Sequence, residues 1–125
     1  MNSLRALVVD DSPAMRRNIV YALTRMGLFA CEEAQDGAEG LKKFATGTYD
    51  LVLTDINMPD VNGLELIHFI RKSEQYRKTP LVIISTQATE RDVERGLALG
   101  ANAYVKKPFS PEELRAAIGA HLGKA

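Results

Sequence analysis

Four short apolar runs break an otherwise mixed chain, at residues 6–9, 51–54, 81–84 and 103–105. Polar residues hardly interrupt them, the pattern of strands covered on both faces. A weaker fifth run covers 28–32. Between these runs apolar residues recur at helical spacing. The stripes are Met15, Ile19, Leu23 and Met26; Ala38, Leu41 and Phe44; Leu64, Ile67 and Ile70; Val93 and Leu97; and Leu114, Ile118 and Leu122. Ser12 with Pro13 behind it marks one helix start, and Ser110-Pro111-Glu112-Glu113 a second with a capping box. Asp36-Gly37-Ala38-Glu39 and Thr89-Glu90-Arg91-Asp92 are further caps, and Gly27 and Gly100 stand where helices should stop. The pattern predicts five strands alternating with five helices, hence a parallel sheet with helices on both faces.

Composition narrows the class. A chain of 125 residues with 46% apolar and 26% charged residues is one ordinary globular domain, expected to span 1–125. Sixteen basic and sixteen acidic residues cancel, so nothing favours non-specific binding to nucleic acid or membrane. The single cysteine, Cys31, excludes an internal disulfide and reads as a small apolar residue of the second strand. No apolar run approaches the roughly 20 residues of a membrane span, and no secretory signal is visible, so a cytoplasmic location is expected.

In open parallel sheets the functional crevice lies at the carboxyl ends of the strands. There the first strand leads into Asp10-Asp11, the third into Asp55 and Asn57, the fourth into Ser85 and Thr86, and the fifth into Lys106-Lys107-Pro108. In a flavodoxin-like strand order 2-1-3-4-5 these groups converge, because adjacent strands lie only about 4.8 Å apart. One aspartate after a strand is most simply a helix cap. A consecutive pair facing a third carboxylate calls for a divalent cation, and hard oxygen donors suit Mg²⁺, with Mn²⁺ able to substitute. Asp55 is the candidate nucleophile, since a carboxylate can attack phosphorus to give an aspartyl phosphate. Lys107 would offset phosphoryl charge and Ser85 would donate a hydrogen bond. Taken singly, Ser85 is an ordinary strand-end hydroxyl and Lys107 a solvated surface lysine; the grouping gives them weight.

These residues spell a resemblance that covers essentially the whole chain. Leu7-Val8-Val9-Asp10-Asp11-Ser12, Asp36-Gly37, the run from Asp50 through Asp55-Ile56-Asn57-Met58-Pro59, Asn62-Gly63, Gly100-Ala101 and Lys106-Lys107-Pro108-Phe109 together resemble the CheY-like receiver domain of two-component response regulators. The resemblance implies a (βα)5 three-layer sandwich. It also implies that Asp55 is the phosphoacceptor and that Asp10 and Asp11 are the acidic pair of a Mg²⁺ site, completed by Asp55 and the backbone carbonyl of Asn57. It implies Ser85 as the switch hydroxyl, Tyr104 as the switch aromatic, Lys107 as the family's lysine, and Asn57 and Gln87 as positions that modulate phosphoryl lifetime. Thr86 beside Ser85, and Lys106 beside Lys107, are the alternatives one residue away. The Lys107–Pro108 peptide resembles the family's cis bond, which would aim Lys107 into the crevice.

On this resemblance a sensor histidine kinase or a phosphotransfer protein supplies the phosphoryl group. A downstream protein then reads a surface of the fourth helix, fifth strand and fifth helix, and the receiver assists its own phosphorylation and dephosphorylation rather than acting as a turnover enzyme. No output segment follows the fifth helix, so output is expected through protein contact, as in stand-alone chemotaxis regulators or phosphorelay shuttles, unless the chain was cut from a longer regulator. The expected state is a monomer or weak dimer, with no direct nucleic-acid or membrane contact. Rival readings fit less well. A haloacid-dehalogenase-like phosphatase places its nucleophile after the first strand, and a flavodoxin-like cofactor site would not face phosphate with Asp10 and Asp11. A receiver-like scaffold has no need of mutually repelling carboxylates. His68 and His121 have no metal-ligand or phosphoacceptor context and read as surface or packing residues.

Overall fold

The structure, a computed structural model, describes residues 4–27, 29–56, 58, 61–74, 76–85 and 90–120. Ten elements alternate: β1 Leu4–Val9, α1 Pro13–Arg25, β2 Phe29–Ala34, α2 Gly37–Thr46, β3 Leu51–Thr54, α3 Gly63–Lys72, β4 Leu81–Ser85, α4 Glu90–Leu99, β5 Ala103–Lys106 and α5 Pro111–Gly119. The strands form one parallel sheet in the order β2-β1-β3-β4-β5. This is the flavodoxin-like doubly wound order under which the polar strand ends were expected to converge.

Strand alternation divides the core in two. Ala6, Val8, Leu51, Leu53, Val82, Ile84 and Val105 pack against Ile19 and Leu23 of α1 and Leu114 and Ile118 of α5. Leu7, Val9, Val52, Leu81 and Ile83 pack on the other face, against Phe44 of α2, Leu64, Leu66, Ile67 and Ile70 of α3, and Leu99 of α4. Burying one such side chain stabilises the fold by roughly 1.5–3 kcal/mol, so these two layers fix the sheet and the level at which each strand ends.

Three of the helix starts are the caps expected at Ser12, Asp36 and Ser110, and Asn62 adds one not expected. Ser12, Asp36, Asn62 and Ser110 cap α1, α2, α3 and α5, each accepting a hydrogen bond from the backbone N–H three residues on. Asn62–Glu65 and Ser110–Glu113 complete capping boxes. Gly27 (φ 75°) and Gly100 (φ 123°) follow α1 and α4 in conformations that a side chain would strain.

Three expectations need correction. The edge strand β2 runs to Ala34, beyond the predicted end at 32, because at the sheet edge its middle positions are only partly covered and the polar Glu32 and Glu33 hide its continuation. In α4, Leu97 does not face the core: it is 43% exposed, and Gly96 is the buried residue. A Cβ on Gly96 would come within 2.3 Å of Ile83 Cδ1, so the helix meets the sheet through an absent side chain. The same reason moves α2: Ala38 is exposed, and Gly40 lies against Val9. Leu28, Thr89, His121 and Leu122 lie outside the described residues, and His68 is exposed.

Candidate functional site

Three strands deliver their polar residues by the same two-residue alternation that builds the core. Ala6 and Val8 lead to Asp10, Leu51 and Leu53 to Asp55, and Ala103 and Val105 to Lys107, all on the α1/α5 parity. Backbone bonds carry the ladder one step past the strand ends. The N–H groups of Asp10, Asp55 and Lys107 donate to Ala34 O (3.1 Å), Val9 O (3.1 Å) and Ser85 O (3.0 Å). The side chains therefore meet at one level. Lys107 Nζ lies 2.5 Å from Asp10 Oδ2 and 3.2 Å from Asp55 Oδ2. Asp10, Asp55 and Lys107 are 1%, 8% and 4% exposed, so this is a buried ionic centre and not a surface pair. The Lys107–Pro108 peptide is cis, as the resemblance implies.

Asp11 completes the group. One carboxylate oxygen from each of Asp10, Asp11 and Asp55 lies within 4.8 Å of the others. Asp11 is exposed and makes no hydrogen bond or ion pair with any described residue, whereas Asp10 Oδ1 also accepts from the Ser12 N–H at 2.9 Å. Three carboxylates face one ammonium. The set carries two negative charges in excess, in hard oxygen donors, which is the composition that takes Mg²⁺ or Mn²⁺.

Ser85 arrives from the opposite parity, after Leu81 and Ile83. It is 1% exposed, and its Oγ has no hydrogen-bond partner among the described residues. A buried hydroxyl left unpaired costs about 1–3 kcal/mol, so a missing acceptor is implied at this spot. Tyr104 pairs with Ile83 across the β4–β5 ladder and so stands on the same face as Ser85. It is half-buried, packs on the core, and lines a depression of about 370 Å³ with Glu90, Val93 and Glu94 of α4.

Asn57, Gln87 and Thr86, expected around the centre, lie outside the described residues. Other contributors were not singled out from sequence. Thr54 Oγ1 donates to Asp55 O at 2.9 Å. A Cβ on Gly63 would fall 2.0 Å from the same carbonyl, so only glycine lets α3 begin against Asp55. The Asn62-Gly63 pair is visible in the sequence, but its contact with Asp55 is not. Arg16 of α1, within the Met15-Arg16-Arg17 run of the stand-alone chemotaxis type, donates from Nη1 to Asp10 O at 2.7 Å, a contact that the run does not announce.

Comparison with known proteins agrees with this geometry. The family model for the response regulator receiver domain matches residues 6–119. The chemotaxis protein CheY1 of Helicobacter pylori is 36% identical over 121 residues, 96% of this chain and 98% of that protein. The structure of chemotaxis protein CheY4 of Vibrio cholerae superposes with a TM-score of 0.89 at 32% identity, covering 97% of this chain and 100% of that one. The receiver domain of a sensor histidine kinase from Pseudomonas aeruginosa, solved with a magnesium ion coordinated in its active-site cleft, gives 0.88 at 27% identity over 98% and 100%. Sequence, strand order and buried ionic centre thus agree: the chain belongs to the response regulator receiver domain family and is CheY-like.

Proposed function

We propose that the chain is a phosphoacceptor switch, phosphorylated on Asp55 by a histidine kinase or phosphotransfer protein and read through the α4–β5–α5 face. The observation that carries this reading is the pairing of an overcharged acidic centre with a buried, unpartnered Ser85 hydroxyl. A phosphoryl group on Asp55 would supply the acceptor that Ser85 lacks.

Asp10, Asp11 and Asp55 would hold a divalent cation, and the magnesium in the Pseudomonas relative's cleft supports Mg²⁺. The carbonyl of Asn57 is proposed as a further ligand, and Asn57 and Gln87 as modulators of phosphoryl lifetime. When bound, the cation would neutralise carboxylate and phosphoryl oxygens and keep the two reacting partners from repelling each other. In the transfer, an Asp55 carboxylate oxygen forms a bond to phosphorus. The bond from phosphorus to the donor breaks, and the donor's nitrogen (or the oxygen of an acyl phosphate) leaves with the electron pair. Lys107, already beside Asp55 Oδ2, would follow the charge onto the phosphoryl oxygens. Ser85 then donates to one of those oxygens and shifts along β4. Tyr104, on the same face, turns into the space vacated. The exposed Leu97 lies on α4 one turn beyond Val93 and Glu94, which line the Tyr104 depression, so this change falls on a surface with apolar area to offer a partner. No described helix is long and apolar enough to cross a membrane.

The test is intact mass after incubation with acetyl phosphate and Mg²⁺. Wild type should gain one phosphoryl group, about 80 Da, only with metal, and Asp55→Ala should gain none. Wild type that binds Mg²⁺ and gains no mass would defeat the reading.

A further inference from the structure

Asp11 has nothing among the described residues to hold its side chain. Asp10 is tied at its N–H, at both carboxylate oxygens and at its carbonyl. The Asp11 carboxylate is exposed and without a partner among the described residues. Where it points is therefore set by its backbone, above all by the plane of the peptide joining Asp10 to Asp11. The carbonyl end of that peptide is the Asp10 oxygen, 2.7 Å from Arg16 Nη1. Arg16 is itself anchored, since its Nε donates to Glu33 Oε1 at 3.0 Å and its side chain is only 15% exposed. A guanidinium is a rigid planar fork, so two donors engaged at once fix both position and direction. Arg16 in this way spans three elements: α1, the end of β1 and the end of β2.

We propose that Arg16 is a positioning residue of the acidic centre, holding the Asp10–Asp11 peptide from behind so that the Asp11 carboxylate is aimed at the cation site. The inference rests on the reading of Asp10, Asp11 and Asp55 as a cation-binding phosphoacceptor centre. Position and charge make opposite predictions. By charge alone, removing a cation from beside three carboxylates would tighten cation binding. Glu33 cancels much of that charge locally, and losing the anchor lets Asp11 wander, so the positional role predicts weaker binding.

The experiment is calorimetric titration of Mg²⁺ into wild type, Arg16→Ala and Arg16→Lys, well below each variant's melting temperature. Arg16→Ala should weaken Mg²⁺ about tenfold, the scale of losing an outer-shell support. Arg16→Lys keeps the charge and one donor and should fall between the two. A merely structural arginine would lower the melting temperature and leave the affinity of the folded protein unchanged. Unchanged or tighter binding in Arg16→Ala overturns the proposal. If Arg16→Ala does not fold, Arg16→Lys decides on the same criterion: weaker binding supports the role and wild-type binding overturns it. If wild type itself binds no Mg²⁺, the acidic-centre reading falls, and the role of Arg16 with it.

Discussion

The two ends of the sheet both carry charge, and they use it in opposite ways. At the amino end, Arg5 pairs with Glu32 and lies over the Tyr49 ring, 4.8 Å from its centroid. The Tyr49 hydroxyl donates to Glu32 at 2.9 Å, and Arg5 N–H donates to Asp50 at 2.8 Å. Every group there has a partner, and both charged members of the pair are about 41% exposed. At the carboxyl end Asp10, Asp55 and Lys107 are buried, Lys107 pairs with two of three clustered carboxylates while Asp11 stands exposed, and Ser85 Oγ is unpaired among the described residues. A cluster serving only stability resembles the first. The second lowers the stability of the resting protein and is retained, on our reading, because a cation and a phosphoryl group complete it.

Breaking the carboxyl-end centre should have the largest effect. Lys107→Ala removes the ammonium that pairs with both Asp10 and Asp55 and should cost about 3–5 kcal/mol in chemical denaturation without metal. Mg²⁺ should restore part of that loss. Next is Gly63→Ala, whose methyl group collides with Asp55 O and Ile56 Cα; about 1–3 kcal/mol should be lost, with slower phosphorylation by acetyl phosphate. Asp11→Asn should sharpen the comparison by reversing the sign. It removes a repelling charge that has no partner among the described residues, so the metal-free protein should gain stability on the order of 1 kcal/mol while Mg²⁺ binding is lost.

The smallest effects belong to the amino end. Burial first, and then the hydrogen bond to Glu32, push Tyr49 up to about 12 from its ordinary 10.0. Folding therefore keeps the phenol protonated where the unfolded chain has lost that proton. The stability gained is complete below pH 10 and is lost as the pH rises towards 12. Absorbance titration of wild type against Tyr49→Phe should show the late-ionising tyrosine, with phosphorylation at neutral pH unchanged. Ionisation of that tyrosine near pH 10 would remove the contrast between a satisfied end and an unsatisfied one.

The carboxyl end was largely legible in the sequence because its residues sit directly after apolar runs. Asp10, Asp55 and Lys107 continue alternations that the core already requires, so finding the strands nearly finds the site. Contacts made by small or distant groups were not legible. Gly96 and Gly40 bring α4 and α2 onto the sheet by lacking side chains, which no hydropathy stripe records. Arg16 with Glu33, and Arg71 with Gly100 and Asn102, depend on pairings 17 to 31 residues apart that exist only once the sheet has assembled. The edge strand β2 was found but shortened, since its polar half matches a loop as well as an exposed edge.

The most direct test of the central claim is where the phosphoryl group resides. Protein treated with acetyl phosphate and Mg²⁺ should be reduced with borohydride, which converts an aspartyl phosphate to homoserine, and the product mapped by peptide sequencing. The account predicts homoserine at position 55 alone, and none when the metal is withheld. Homoserine at position 10 or 11, or none anywhere in metal-loaded protein, would contradict it.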